Sequence, residues 1–342
     1  MIDTRRKRAR SEAADISFRV VFFTGAAALA LAAAIGLADM AGYDRLVHVL
    51  ERMNPPLLAA CFGGQVVAYL GYVLAVRDMA RVEEGPRLSL SLTTRTVVAG
   101  FGVFAATHSA GGFAVDYWAL RRAGLRREEA IARVLGLGAL EYLVLAPAAL
   151  ISALYLFFSD VGHVQQAMTL PWLAVVPGFA IAAWLSAPKR AGRLADPGDG
   201  GAVRQWFAHA IAGFWKLRCL ATRPREHGMG LAGVTLYWVG DIATLWAALE
   251  VFHAELSLPA LILAYATGYV ATRRSLPAGG AGVVEVLMTF ALVWVGLGLA
   301  PALLGVLVYR LFNFWLPIVP ALVVLPSLSR LREEYRAAER TL

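Results

Sequence analysis

Charge is scarce in this chain. Asp, Glu, Lys and Arg make up 16% of its 342 residues, against about 25% in an ordinary soluble domain. Lysine is nearly absent, represented by Lys7, Lys189 and Lys216 alone, and the other cations are arginines. The two cysteines, Cys61 and Cys219, lie far apart, which excludes a disulfide framework and a cysteine-based metal motif. The histidines form no ligand set, so no metal and no cofactor are expected. No stretch alternates with period 2, so a membrane β-barrel is excluded. "GGAG" follows no strand and is neither a Walker loop nor a dinucleotide fingerprint. His108 and Ser109 have no third group spaced to complete a nucleophile relay. They read as the polar tip of a broken helix, and no catalytic residue is assigned.

What the chain has is apolar length: 59% of it is hydrophobic, with a mean hydropathy of +0.61. The apolar residues gather in blocks near 18–38, 56–76, 96–119, 134–158, 169–187, 229–250, 256–272, 281–299 and 301–326. A helix needs about 20 such residues to cross a bilayer core. The prediction is an all-α polytopic integral membrane protein of about eight spans, one or two of them broken or re-entrant. The N-terminal apolar run is too long for a signal peptide and reads as an uncleaved first span. The net charge of +8 sits in loops and tails, where positive-inside topology explains it better than nucleic acid does.

Following the arginines loop by loop gives a basic cytoplasmic tail at 1–17, one membrane domain at 18–326 and a second basic cytoplasmic tail at 327–342. Arg121, Arg122, Arg126, Arg127 and Arg133 follow block 96–119. That block is therefore expected to enter and leave on the cytoplasmic side. Ser159–Met168, without Lys or Arg, reads as external. The loop 188–228 reads as cytoplasmic, carrying a helix at 202–220 whose Trp206, Phe207, Phe214 and Trp215 share a face. An interfacial helix is expected there, the alternative being a helix packed on the other spans. Blocks 256–272 and 281–299 either both cross or form a second broken hairpin; charge counting fits both.

An internal repeat is visible, with halves around 92–158 and 256–326. Gly111-Gly112 precedes Asp116, and Pro277-Ala278-Gly279-Gly280-Ala281-Gly282 precedes Glu285. Twenty-five residues after each acid comes another charge, Glu141 and Arg310. Glycine turns supply unusual backbone angles, and repeated halves with interrupted helices are a pattern of transporter folds. Asp116, Glu141, Asp241, Glu285 and Arg310 all fall in or beside apolar blocks. Each costs about 2.5–3.5 kcal/mol at a helix centre, so each must pair or face water. Glu285 or Asp241 is expected to pair with Arg310, and Asp116 or Glu141 with an arginine such as Arg121. The set is read either as salt bridges between helices or as a polar cavity for a charged head group.

The phrase from Leu276 to Leu322 resembles the C-terminal signature of the lysylphosphatidylglycerol synthase transmembrane, or flippase-like, family. The resemblance rests on Pro277, Gly279, Gly280, Gly282, Glu285, Tyr309, Arg310, Trp315 and Pro317. Gly111–Tyr142, with its "RRAGL" phrase, is similar to that family's first block, with Asp116 where many relatives carry arginine. The resemblance implies a membrane domain that moves lipid between leaflets. Glu285, Arg310, Tyr309, Asp241, Asp116 and Glu141 become the candidate head-group site. Gly111, Gly112, Pro277, Gly279, Gly280 and Gly282 become its backbone turns. Long members add a soluble aminoacyl transferase; the chain ends about where that domain begins, so no enzyme activity is expected. Expected partners are membrane lipids, whether anionic or aminoacylated phospholipid or polyprenyl-linked lipid. A separate lipid-modifying enzyme and a second copy of the chain are further candidates. The expected location is the inner membrane. The alternative function is a subunit that presents lipid to a separate synthase or glycosyltransferase.

Overall fold

The computed structural model describes residues 24–25, 27–106, 111–159, 166–194, 201–270 and 280–324. All regular structure among them is helical. The exterior is apolar: Phe158 is 80% exposed, Val323 75% and Ile151 66%. Such a surface is costly in water and ordinary in lipid, so the chain is a multi-pass membrane protein. Five helices are long and apolar enough to cross, namely Leu57–Arg81, Arg127–Phe158, Ala167–Leu185, Arg225–Glu250 and Leu299–Val324. A bent pair, α1 (Ala27–Ala41) and α2 (Tyr43–Glu51), makes up to six. The pair turns by 95° at Gly42, whose φ of 85° suits a residue without Cβ. Among the described residues, blocks 96–119, 256–272 and 281–299 supply two pairs of shorter helices.

α3 (Leu57–Arg81) and α11 (Pro224–Glu250) form the central pair. Their backbones touch because glycines face each other. A methyl added at Gly71 would collide with the Gly233 carbonyl oxygen, and one at Gly240 would lie 2.5 Å from that of Gly64. Small residues drive such packing in membranes, where burial in a neighbour removes no more water than burial in lipid. At one end of the seam Asp78 accepts the Gly230 N–H at 2.7 Å.

Around this pair run two similar sequences of elements. α4 (Leu90–Ala106) and α5 (Gly111–Arg122) pack on each other and lead into the 32-residue α6 (Arg127–Phe158). α12 (Leu258–Tyr265), extended by a π-helical turn at Ala266–Val270, packs on α13 (Val283–Trp294) and leads into α14 (Leu299–Arg310). A second π-helical turn, Leu311–Trp315, follows α14. At 1.5 Å per residue α12 with its π turn is about 20 Å long and α13 about 18 Å, short of the roughly 30 Å hydrocarbon core. Gly268 sits so close to α13 that an added methyl would fall 2.5 Å from Met288 Cα.

Between α6 and α11 the described residues are again mostly helical. They form α7 (Gln166–Thr169), a 3₁₀ turn at Leu170–Ala174, α8 (Val175–Leu185), α9 (Pro188–Leu194) and α10 (Ala202–Thr222). α10 covers the stretch 202–220 in which a helix is expected. Its first turns leave Val203, Trp206 and Phe207 exposed, while Ala208, Ile211 and Leu220 are buried. Gly213 meets α6 closely, with an added methyl 3.0 Å from the Gly136 nitrogen. Beyond α3, Glu83 accepts from the Trp215 indole N–H at 2.7 Å and pairs with Lys216. Burial pushes the Glu83 carboxyl up, but the hydrogen bonds from Lys216 and Trp215 outweigh it, and the group titrates below the usual carboxylate range.

Arg133 is one of the basic residues that follow block 96–119 in the sequence. It lies inside α6, 1% exposed. Its guanidinium donates to the carbonyls of Ala80 at 3.3 Å and Val82 at 2.7 Å, and pairs with Glu129 at 2.9 Å. Those carbonyls close α3, whose last acceptors lack intrahelical donors.

Candidate functional site

Two polar groups share the end of α14. Tyr309 and Asn313 stand four residues apart, so they project from one face, while Arg310 points around the helix. On the first face lies Asp241 of α11, fully buried. Its Oδ1 accepts from Gln65 Nε2 at 2.7 Å and Asn313 Nδ2 at 2.6 Å. Its Oδ2 accepts from the Tyr309 hydroxyl at 3.1 Å and from the Tyr265 hydroxyl. A carboxylate has about four acceptor sites, and here all are filled. Gln65 also donates to Thr244 Oγ1 at 3.1 Å, and Thr244 in turn donates to the Gly240 carbonyl at 2.9 Å. One carboxylate thus ties α3, α11, α12 and the π turn after α14 together.

On the other face Arg310 Nε donates to Glu285 Oε1 at 2.8 Å, and both residues are 1% exposed. The guanidinium carbon also lies 4.2 Å from the Phe314 ring centroid, a cation–π distance. Glu285 occupies the first turn of α13, where its Oε2 accepts the Gly282 N–H at 2.7 Å. That contact places a negative charge at the positive end of the helix. Gly282 has φ 84° and Gly280 φ 69°. At Gly282 an added methyl would also fall 2.8 Å from Leu29 Cγ of α1. The turn therefore requires glycine for both its angle and its space.

The end of α14 thus carries a buried acid–arginine pair on one face and a buried carboxylate with four donors on the other. Both π-helical turns border it, a placement common at functional sites. Of the residues expected from the sequence, Glu285 meets Arg310 and Asp241 meets Tyr309. The pairing of Arg310 is with Glu285. Asp116, buried in α5, and Glu141, buried in α6, are not among the partners of Asp241 or Glu285. The Glu141 carbonyl accepts from the Trp238 indole at 2.9 Å, and Trp238 packs edge-on against Tyr265 at 5.9 Å. Arg121 donates instead to the Leu125 carbonyl at 2.6 Å. Gly111 and Gly112 open α5; Pro277 and Gly279 lie outside the described residues.

Gln65, Tyr265 and Asn313 belong to the site and escaped the sequence reading. Gln65 and Asn313 are lone amides within apolar runs, the same signal that singled out the charges. Tyr265 carries no such mark. No group of three or more His, Cys, Asp or Glu among the described residues is placed to hold a metal ion.

A comparison with curated proteins finds no match. The family model described as "Lysylphosphatidylglycerol synthase TM region" matches residues 16–321, which takes in every residue of the site, and the chain belongs to that family.

Proposed function

We propose that the chain is a lipid translocase that moves a phospholipid or polyprenyl-linked lipid between the leaflets of the inner membrane. The observation that carries this reading is the Glu285–Arg310 pair, buried at the breaks of short helices. The family's association with lipid supports it. On this reading α4–α5 and α12–α13 are re-entrant hairpins of two inverted repeats, and both termini are cytoplasmic. The chain acts as a carrier and performs no covalent chemistry.

The geometry suggests how the charges would work. Opening a buried ion pair and leaving one partner alone costs about 3–5 kcal/mol, so the pair stays shut without a replacement. A lipid phosphate supplies one, because guanidinium binds phosphate as well as carboxylate in a fork. Glu285 keeps its hydrogen bond from Gly282 while it gives up Arg310. Glu285, once Arg310 turns to the phosphate, is free to bind a cationic head group. Without lipid the site is closed; with the phosphate in place it opens.

Head-group discrimination tests this. Proteoliposomes would carry labelled anionic, aminoacylated and polyprenyl-phosphate lipids, with a phosphate-free glycolipid as comparison. Faster leaflet exchange confined to the phosphate-bearing lipids is expected. Equal acceleration of the glycolipid would sink the role of Arg310. No acceleration of any lipid by folded, inserted protein would favour a subunit that presents lipid to a separate enzyme.

A further inference from the structure

A cavity of about 590 Å³ opens between α6, α8 and α10, within the usual size of ligand sites. Gly138 and Tyr142 of α6, Phe179 of α8 and Phe214 of α10 form its walls, and Ser186 and Arg218 mark one end. Among the described residues no acid lines it. Arg218 is half-buried, and it donates a 3.4 Å hydrogen bond to the Ala183 carbonyl. From Ser186 the chain continues into α9, whose Lys189 and Arg190 are exposed. Arg190 stacks on Trp184 at 3.9 Å. The cavity therefore has an apolar body and a basic end, the complement of an anionic amphiphile. Its flanks face lipid, since Val176, Ile181, Trp184 and Trp206 are all more than half exposed. Entry is from the bilayer.

We propose that this cavity binds an anionic phospholipid, with one acyl chain between α6, α8 and α10 and the phosphate on Arg218. The proposal rests on the membrane setting and not on translocation, and it shares no residue with the Glu285–Arg310 site. A guanidinium in an acid-free lining gives the selectivity, because a charge-assisted hydrogen bond to phosphate is strong where water is partly excluded.

The full-length chain in nanodiscs would be cross-linked with phosphatidylglycerol or phosphatidylcholine carrying a photoreactive group near the chain end. Cross-links would be mapped by peptide mass. Gly178 lines the cavity, and a Cβ there meets nothing within 4 Å, so Gly178→Leu starts its side chain in open space. Cross-links should concentrate on peptides of α6, α8 and α10, with phosphatidylglycerol favoured roughly tenfold, the size of one such contact. Gly178→Leu should abolish them there, and Arg218→Gln should bring the preference close to one while the tail still cross-links. Cross-links spread evenly over the exterior, or equal for both lipids, would overturn the site. So would a pattern indifferent to both variants. Loss of leaflet exchange with this pattern intact refutes the translocase alone.

Discussion

Removing both partners of the Glu285–Arg310 pair should cost well under the sum of the two single removals. Each is 1% exposed, so a single deletion strands a charge with no solvent to screen it. Arg310→Met leaves Glu285 with the Gly282 N–H alone and also loses the stack on Phe314. A stranded buried charge costs about 3–5 kcal/mol, which corresponds to a fall in Tm of roughly 5–10 °C for a chain this long. Glu285→Gln keeps an acceptor for the Gly282 N–H, so its loss belongs mainly to Arg310. It should be the milder single change, about 2–3 kcal/mol. The double variant Glu285→Gln/Arg310→Met removes both charges and should recover at least half of the summed losses. Thermal unfolding of the four proteins in one detergent closes the cycle. A coupling of about 2 kcal/mol or more supports a paired, desolvated site. Additive losses within about 0.5 kcal/mol would refute the pairing.

Asp241→Asn replaces two acceptor oxygens with one and turns a donor toward donors, so a loss of about 2–4 kcal/mol is expected by thermal unfolding; an unchanged Tm contradicts the four-donor site. Gly71→Ala drives a methyl into the Gly233 carbonyl oxygen and should destabilise by about 1–3 kcal/mol. Gly63→Ala, next to Gly64 in the chain but with nothing within 4 Å, should be neutral or slightly stabilising. The Glu83–Lys216 clamp gives a pH dependence. The folded carboxyl titrates below the unfolded one, which lies near about 4.3, so the clamp's stability is full above that range. It is lost as pH falls through the lower, folded value. Because Glu83 is more than a third exposed, solvent screening limits the effect to about 1 kcal/mol or less. Amide protection in α10, corrected for the intrinsic pH dependence of exchange, should fall below that pH in wild type and stay level in Glu83→Gln.

The sequence shows a polytopic helical protein because lipid leaves no other way to satisfy a backbone in long apolar blocks. It also shows Glu285, Arg310 and Asp241, because a charge in such a block is costly enough to stand out. Length and spacing do not reveal partners. Gln65 and Asp241 meet only because Gly64, Gly71, Gly233 and Gly240 let α3 and α11 approach, and those glycines look like any others in a chain with 32 of them. Arg133 reads as part of a basic stretch with its neighbours, Arg126 and Arg127. Its burial depends on carbonyls from α3, a contact 53 residues away. Asp116 and Glu141 match Glu285 and Arg310 in spacing but not in chemistry. Two acids cannot form the ion pair that an acid and an arginine make.

The most direct test of the central claim is leaflet exchange in liposomes holding the purified chain, compared with vesicles holding its Glu285→Gln variant. Both proteins must first be shown to be folded and inserted. The account predicts that wild type speeds exchange of a phosphate-bearing lipid at least about tenfold over empty vesicles, the size of one charge-assisted contact, and that the variant returns it to the empty-vesicle rate. Equal acceleration by both proteins would contradict the assignment of the site, and no acceleration by either would contradict translocation itself.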